Sequence, residues 1–190
     1  MLLIHGDQTA RHWRHHTQEG SDVHPGAFEF VSRFATTDEI SVIEIGSRDI
    51  NGSIRCHFPA ASWTGLDLYP GPSVDVVCDA LDYTPSQPVD IVVIAEVFEH
   101  TGNWGEILTH AATWLKPGGR ILITCAGIGR DPHSAIDGGE LHPDEHYANI
   151  SQDQLAEELH YAGFTQIDVS GNEHWKDTYA TGWKPERNHD

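Results

Sequence analysis

The stretch that decides the fold is SVIEIGSRDINGS, residues 41–53. Residues 41–45 are mostly apolar, which is typical of a strand buried on both faces of a sheet. Gly46 allows the backbone to turn sharply at the carboxyl end of this strand, and Ser53 can cap a helix that follows. The pattern predicts a strand, a turn and a helix in that order.

Asp67 lies in the second predicted strand segment, residues 63–68. A carboxylate in this place can accept hydrogen bonds from both hydroxyls of a ribose. The loop after the first strand differs from the dinucleotide-binding pattern G-x-G-x-x-G, which would need glycine in place of Arg48, and the next glycine, Gly52, is too far along the chain. We therefore expect a nucleoside-binding α/β site without a pyrophosphate cradle.

The composition fits one domain that spans residues 1–190, and it disfavours two classes of partner. Lys and Arg total 11 against 29 Asp and Glu, which gives a formal net charge of -18 at pH 7. Such a charge repels phosphate backbones and anionic lipids. We therefore expect neither nucleic acid nor a membrane as a partner.

Cysteine usage and the amino terminus bear on the cellular location. The three cysteines, Cys56, Cys78 and Cys125, are odd in number and widely spaced, so we interpret them as reduced thiols. Residues 1–7 lack the basic region and the cleavage site of a signal peptide, and no apolar run approaches the roughly 20 residues that span a bilayer. These features predict a cytoplasmic protein.

The first two thirds of the chain continue the α/β pattern. Near-continuous apolar runs predict strands at residues 74–78, 89–95 and 120–125, which favours parallel strands covered by helices. An apolar helical face at residues 104–115 ends at Lys-Pro-Gly-Gly. Before the first strand, one helix is predicted to begin near Pro25.

The last third of the chain predicts a helix and a hairpin. Ser151 and Gln154 can form a capping box at the start of the helix. A strand at residues 164–169, a turn at residues 170–172 and the segment 176–183 predict the hairpin. Together the elements predict an α/β fold: a doubly wound, mostly parallel seven-stranded sheet with a carboxyl-terminal antiparallel hairpin strand and helices on both faces.

Five segments follow one another in a characteristic order: EIGS at residues 44–47, Asp67, CDA at 78–80, VDIVVIAE at 89–96 and LKPGGRILIT at 115–124. Their order and spacing resemble the motif series of class I, Rossmann-like S-adenosylmethionine-dependent methyltransferases, in particular the branch that acts on small molecules. The resemblance covers about residues 40–170. It implies that the cofactor is S-adenosylmethionine, with S-adenosylhomocysteine as its product.

The same resemblance implies a set of cofactor-binding residues. They are Glu44, Gly46, Ser47, Arg48, Asp67, Leu68, Tyr69, Asp79, Ala80 and Glu96. Glu44 and Gly46 would lie at the methionine end of the cofactor, and Asp67 would hold the ribose hydroxyls. Family members often have a second glycine where this chain has Arg48, and Asn51–Gly52 can provide the turn instead.

The adenine and the substrate would contact later motifs. Leu68 or Tyr69 would pack on the adenine, and Asp79 would accept a hydrogen bond from its amino group, with Ala80 alongside. Glu96 would face the methionine moiety or the substrate. These roles come from the resemblance alone.

Candidate catalytic residues follow the fourth strand in the segment EVFEH, residues 96–100. A sulfonium methyl group is already activated, so an enzyme has chiefly to align the acceptor and remove its proton. His100 has an ordinary pKa suited to a base near neutrality, but it can equally pack beneath the next helix. Glu99 is a second candidate, against the simpler reading of a solvated loop carboxylate.

The segment LHPDEHY, residues 141–147, holds further candidates. A helical turn would place His142 and His146 on one face with metal-ligand geometry, and His133 is a candidate third ligand. Alternatively His146 or Tyr147 contacts the substrate or transfers a proton, or the segment is plain loop. We predict no metal and retain His146 as a catalytic candidate.

Two flanking segments are expected to shape the acceptor site. We expect residues 1–40 to contribute a lid and a helix, and residues 126–150 to form a substrate-facing insertion. The cations and the aromatic ring of residues 11–16 could also form an arm for nucleic acid, but we favour the lid.

The sequence predicts a monomeric or homodimeric methyltransferase that moves the methyl group of S-adenosylmethionine, by in-line displacement, to oxygen, nitrogen or carbon of a small molecule. Two alternatives stay open: an acceptor that is protein or RNA, and an inactive cofactor-binding module that acts as a partner or regulator. A nicotinamide-dependent enzyme is a third alternative, which the missing glycine fingerprint disfavours.

Overall fold

A computed structural model describes residues 24–50 and 52–186. Residues 11–16, for which a lid was expected and a nucleic-acid arm was the alternative, lie outside these residues, and so does Asn51. The helix predicted near Pro25 is present as α1, Pro25–Ser32. Among the described residues, no helix is long and apolar enough to cross a bilayer.

The described residues form a seven-stranded sheet with the order β3-β2-β1-β4-β5-β7-β6. Strand β7 runs antiparallel to both of its neighbours, while the other pairs are parallel. The predicted fold class is therefore confirmed. The strands are β1 Ser41–Ile45, β2 Ser62–Asp67, β3 Val76–Val77, β4 Val89–Ala95, β5 Leu115–Ala126, β6 Thr165–Asn172 and β7 Asp177–Trp183.

Helices cover both faces of the sheet because alternate strand residues point to opposite sides. Helix α1 packs on the face that includes Val42, Val93 and Leu122. Helices α2, Trp104–Trp114, and α3, Gln152–Tyr161, pack on the other face. The capping box predicted for Ser151 is present at the start of α3, which confirms that prediction.

The order of the strands reverses at β1, which lies between β2 and β4. Connections leave the carboxyl ends of β1 and β4 in opposite directions, so a crevice opens between them. Open α/β sheets bind their ligands in such a crevice. The fold thus places the end of the stretch 41–53 at the mouth of a natural binding cleft.

The helix predicted after Ser53 is wrong. The chain makes only a short 3-10 turn, Arg55–His57, between β1 and β2. Its backbone bonds join residues three apart, as from the N–H of Phe58 to the carbonyl of Arg55 at 3.0 Å. Pro59 follows at once and cannot continue a helix. Ile54 and Phe58 are both buried, so this turn still covers the sheet.

The boundaries of two strands, β6 and β5, also differ from the prediction. Residues 170–172, predicted as a turn, are part of β6, and the turn comes after Asn172. There the side-chain oxygen of Asn172 accepts hydrogen bonds from the N–H groups of His174 and Trp175, at 2.9 and 3.1 Å. Residues 116–119 end α2 as predicted, but they lie within β5 as an irregularity in its pairing with β4.

Candidate cofactor and acceptor site

A cleft of about 840 Å³ lies at the carboxyl ends of β1, β2 and β4. Every residue predicted to bind a cofactor lines it, and so does His100. These residues are far apart in the sequence but meet because parallel strands end at the same edge of the sheet. The candidate site is therefore one continuous cleft.

Gly46 makes the turn at the end of β1. Its φ of +74° lies in the left-handed region, and a Cβ atom there would come 2.3 Å from the Cγ2 atom of Val97. The N–H groups of Gly46 and Ser47 both donate to the carbonyl of Leu66, at 2.9 Å each. The turn thus fits only glycine, as the sequence predicted.

Glu44 is the buried carboxyl group of the cleft. Its side chain is 8% exposed, and the Nε atom of Arg55 lies 3.4 Å from one carboxyl oxygen. Burial raises the pKa of Glu44 to about 7, although the charge and the hydrogen bond of Arg55 oppose that rise. Near neutral pH this group can therefore exist in either protonation state.

The carboxylate of Asp67 is held by two backbone N–H groups. One oxygen accepts from Arg48 at 3.2 Å and the other accepts from Tyr69 at 2.9 Å. A carboxylate has about four lone-pair positions, so two remain for a ligand. The geometry matches the predicted place of Asp67 at the end of β2.

Arg48 replaces the glycine that the sequence comparison expected, and it connects three parts of the cleft. Its backbone N–H binds Asp67, and its guanidinium lies over the ring of Tyr69 at 5.4 Å. The same guanidinium donates to the carbonyls of Ala135 and Ile136, at 3.3 and 2.9 Å. Arg48 therefore fastens the insertion 126–150 to the loop after β1.

The far end of the cleft is apolar and open. Leu68 and Tyr69 are 63% and 52% exposed. Asp79 lies nearby and accepts a hydrogen bond from the N–H of Leu81 at 2.9 Å, which fixes its side chain, while Ala80 is buried beside it. An exposed apolar patch beside a fixed carboxylate suits a flat ring with a polar edge.

Glu96 lies where β4 ends, in an unusual backbone conformation with a φ of +55°. One of its oxygens accepts from the hydroxyl of Thr124 at 2.9 Å. The other lies 3.1 Å from the guanidinium of Arg130, which also binds Asp177. Because two carboxylates already balance this guanidinium, Arg130 acts as a clamp between β4 and β7.

Asp177 is buried and serves as the centre of this clamp. The hydroxyl of Tyr179 donates to it at 2.8 Å, and the Nδ1 atom of His24 lies 3.2 Å away. Burial alone would raise the pKa of Asp177, but these hydrogen bonds and the charge of Arg130 lower it. The first residues of α1 are thereby fixed to the edge of the cleft.

Glu99 is not solvated, as the simpler interpretation of the sequence assumed; it is 0% exposed. The 3-10 helix Phe98–His100 turns its side chain towards β5, where one oxygen accepts from the N–H of Ala126 at 3.1 Å. Burial, and then the neighbouring Glu96, raise the pKa of Glu99 well above its usual range. Glu99 therefore lies behind the cleft wall.

His100 faces the cleft as predicted. Its ring contacts those of His133 and Tyr147, with centroids 4.9 and 5.5 Å apart. Burial, and next the charge of His133, lower the pKa of His100 to about 4. The imidazole is therefore neutral near neutral pH, and it is a weaker base than its ordinary pKa indicated.

The helical turn that would bring His142 and His146 onto one face is absent. Residues 141–149 contain no helix, and the Glu145 side chain accepts hydrogen bonds from the hydroxyl of Ser134 and the N–H groups of Ala135 and His142. His146 is exposed and is absent from the described residues that line the cleft. His133, earlier in the insertion 126–150, is the histidine that does reach His100.

Four residues of the cleft region escaped the sequence analysis: His24, Arg55, Arg130 and Asp177. Their contacts join segments distant in the chain, and no spacing rule connects them. Arg130 carried the clearest signal, since it follows shortly after the carboxyl end of β5, at the edge where such sheets bind ligands.

A family model described as a methyltransferase domain matches residues 13–169. The match includes the loop after β1, Asp67 and the residues that follow β4, which are the parts that form the cleft. The chain therefore belongs to the methyltransferase-domain family. No curated protein sequence matches the chain significantly.

Solved structures of methyltransferases share the fold. One is 1,6-didemethyltoxoflavin-N1-methyltransferase of Burkholderia thailandensis with bound 1,6-didemethyltoxoflavin and S-adenosylhomocysteine. It has a TM-score of 0.65 and 18% identity, and the match covers 86% of this chain and 78% of that one. A complex of DhpI with S-adenosylhomocysteine has a TM-score of 0.64 and 20% identity, and the match covers 86% of this chain and 84% of that one. Phosphoethanolamine N-methyltransferase 2 of Haemonchus contortus with S-adenosylmethionine has a TM-score of 0.64 and 16% identity. The match covers 88% of this chain and 54% of that one, so the chain spans about half of that protein.

Proposed function

We propose that this protein is a methyltransferase that moves the methyl group of S-adenosylmethionine to a small-molecule acceptor. The observation that carries the proposal is the placement of Glu44, Asp67 and Asp79 along one edge of the cleft, where β1, β2 and β3 end. Family membership supports the reaction, and the similar solved structures named above contain S-adenosylmethionine or S-adenosylhomocysteine.

The polar groups of the cleft suit this cofactor. The hydroxyl of Ser47 and the Nε atom of Arg48 are buried and lack a hydrogen-bond partner within residues 24–50 and 52–186. Buried polar atoms normally have partners, so these two mark places where a ligand can bind. Both lie in the loop after β1, between Glu44 and Asp67.

The order of the carboxylates suggests how the cofactor lies. Asp67 accepts the two ribose hydroxyls with its remaining lone pairs, and Asp79 accepts from the adenine amino group. Leu68 and Tyr69 flank the adenine ring. Glu44 is left for the ammonium group of the methionine moiety, whose positive charge favours the ionised form of this carboxyl.

The bound cofactor supplies a methyl group already activated by a sulfonium centre. The protein has to hold the acceptor in line with the bond that breaks and to remove a proton. Glu96 and His100 lie on the side of the cleft beyond the methionine end, and we assign the acceptor to that side. Of the predicted catalytic residues His100 is the one that can touch it, while Glu99 supports the wall and His146 would need to move inwards.

A small acceptor fits the closure of the cleft better than a macromolecule does. Arg48 holds residues 135 and 136 of the insertion across the opening, and residues 131–133 of the same insertion line the cleft beside His100, so the acceptor side is walled. The net charge of -18 opposes RNA. Cytoplasmic location and a monomeric or homodimeric state stay predictions from the sequence.

The acceptor class can be tested by incubating the protein with S-adenosylmethionine and four separate mixtures: hydroxylated small molecules, small amines, total RNA and unfolded protein. We expect S-adenosylhomocysteine to accumulate with a small-molecule mixture, together with a compound heavier by one methylene group. Mass spectrometry measures both products. Turnover with RNA or protein alone would contradict a small acceptor.

A further inference from the structure

We propose that Glu99, His100 and His133 hold a divalent transition-metal ion in the wall of the cleft, where the ion binds and activates a hydroxyl group of the acceptor. The metal site stands on its own geometry. Its role with the acceptor rests on the proposed function.

The three side chains converge from two distant segments of the chain. Glu99 and His100 follow β4, whereas His133 belongs to the insertion after β5. One potential ligand atom of each lies within 4.8 Å of the corresponding atoms of the other two. Ligand atoms bound to one ion at about 2.0–2.2 Å lie about 3.3–3.6 Å apart in a tetrahedral site, so these side chains need only a small inward shift to bind one ion.

Two of the three side chains carry a buried polar atom that needs a partner. One oxygen of Glu99 and the Nδ1 atom of His100 make no hydrogen bond within the described part of the chain. Leaving a buried polar group unsatisfied costs about 1–3 kcal/mol. Since these two residues also belong to the cluster of potential ligand atoms, a bound metal ion that accepts their lone pairs would satisfy them.

His133 is already oriented in the way that metal-bound histidines are. Its Nδ1 atom lies 3.3 Å from the carbonyl oxygen of Asp131. A carbonyl oxygen only accepts, so Nδ1 carries the proton and Nε2 keeps its lone pair. Histidine ligands usually donate their second N–H to a carbonyl or carboxylate in this manner.

The site would be open towards the acceptor. His100 and His133 both line the cleft, while Glu99 lies behind them. Three protein ligands on one side leave coordination positions free on the cleft side, which is the arrangement of catalytic metal sites. The ring of Tyr147 packs against both histidines and covers the other flank.

The ligand set indicates the kind of ion. Two imidazoles and one carboxylate suit Zn²⁺, Mn²⁺ or Fe²⁺, whereas Mg²⁺ and Ca²⁺ prefer oxygen ligands alone. A second group of possible ligands, His24, Glu96 and Asp177, is a poorer candidate because the guanidinium of Arg130 already binds both of its carboxylates.

A metal ion at this site would make it easier for the hydroxyl group of an acceptor to lose its proton. Coordination lowers the pKa of the hydroxyl, whose proton is released to water before transfer. The acceptor oxygen then forms its bond to the methyl carbon while the bond from carbon to sulfur breaks. The electron pair of that bond stays on sulfur, so the sulfonium becomes a neutral thioether and charge balances.

Metal binding should be measured on protein made without an affinity tag. Since residues 11–16 include His12, His15 and His16, all proteins should carry alanine at these three positions to remove adventitious binding. After treatment with a chelator and its removal, titration with Zn²⁺ is expected to show one bound ion per chain. Mg²⁺ at the same concentration should not compete.

Matched variants then test the assignment. His133→Ala and Glu99→Gln should each weaken Zn²⁺ binding by at least about 100-fold, since loss of a group that only orients a ligand already costs about 10–100-fold. His160→Ala removes an exposed histidine on α3 and should leave the affinity unchanged. Equal Zn²⁺ affinity in His133→Ala, Glu99→Gln and the parent protein would overturn the proposal.

The metal site and the proposed methyltransferase function can be tested, and can fail, separately. Titration of the same samples with S-adenosylhomocysteine should give the same affinity in His133→Ala as in the parent protein, because His133 lies on the acceptor side. Sulfur-nucleoside binding without Zn²⁺ binding would overturn the metal site alone. Zn²⁺ binding without sulfur-nucleoside binding would overturn the proposed function and the role of the ion in it, but not the metal site.

Discussion

Replacing Asp67 with alanine is expected to weaken the binding of S-adenosylhomocysteine by about 100-fold or more while the fold is kept. Hydrogen bonds to a charged group contribute about 1.5–3 kcal/mol each, and the Asp67 carboxylate is proposed to accept two from the ribose. The N–H groups of Arg48 and Tyr69 hold this carboxylate in place, at 3.2 and 2.9 Å. Isothermal titration calorimetry measures the effect.

Two controls make the Asp67 result specific. Asp38→Ala removes an exposed carboxylate before β1 and should leave the affinity unchanged. Asp67→Asn keeps the size and one acceptor oxygen, so it should fall between the alanine variant and the wild type. Unchanged affinity in Asp67→Ala, with an unchanged melting temperature, would show that the ribose does not lie at the end of β2.

Replacing Gly46 with alanine is expected to lower the free energy of unfolding by about 2–5 kcal/mol. The left-handed conformation costs a residue with a Cβ atom about 1–2 kcal/mol, and overpacking adds about 1–3 kcal/mol. Here the added atom would lie 2.3 Å from Cγ2 of Val97, at a φ of +74°. Urea unfolding followed by circular dichroism measures the loss.

Gly163 offers a matched control for this substitution. Its φ is +85°, but a Cβ atom there would meet nothing within 4 Å, so Gly163→Ala should cost only the conformational part. The double variant Gly46→Ala/Val97→Ala should be more stable than the sum of the two single effects predicts, because truncating Val97 removes the clash. Equal losses at Gly46 and Gly163 would contradict the crowding inferred beneath the loop.

Local patterns predicted the parts of the cleft that depend on strands alone. Apolar runs locate β1 and β4, and a residue at the carboxyl end of a parallel strand must lie at one edge of the sheet. Gly46, Asp67 and Glu96 could therefore be placed together before their contacts were known. The same argument placed His100 at the cleft.

The sequence could not show what depends on contacts between distant segments. The burial of Glu99 follows from the orientation of a single 3-10 turn against β5, and no periodic pattern records that orientation. The meeting of His133 with His100 depends on the path of the insertion. His142 and His146 had the better spacing, but residues 141–149 form no helix, and Glu145 instead ties this segment to Ala135 and His142.

The missing helix after β1 shows that a capping residue alone is not enough to predict a helix from sequence. Ser53 does bind the N–H of Arg55 at 3.2 Å, as a capping residue would. A cap contributes only about 1 kcal/mol to a helix, since most helical stability comes from packing of an apolar face. The segment offers Ile54 and Phe58 as buried residues and then Pro59, so it packs as a short turn.

The most direct test of the central claim is a calorimetric titration of the wild-type protein with S-adenosylmethionine, S-adenosylhomocysteine and, for comparison, NAD. The buffer should be near pH 8, roughly one pH unit above the pKa of Glu44, which burial raises to about 7. Most of the Glu44 carboxyl is then ionised and attracts the ammonium group of the ligand. We expect saturable binding of both sulfur nucleosides at one site and none of NAD. Binding of NAD alone, or of none of the three, would contradict the assignment of the cleft to S-adenosylmethionine.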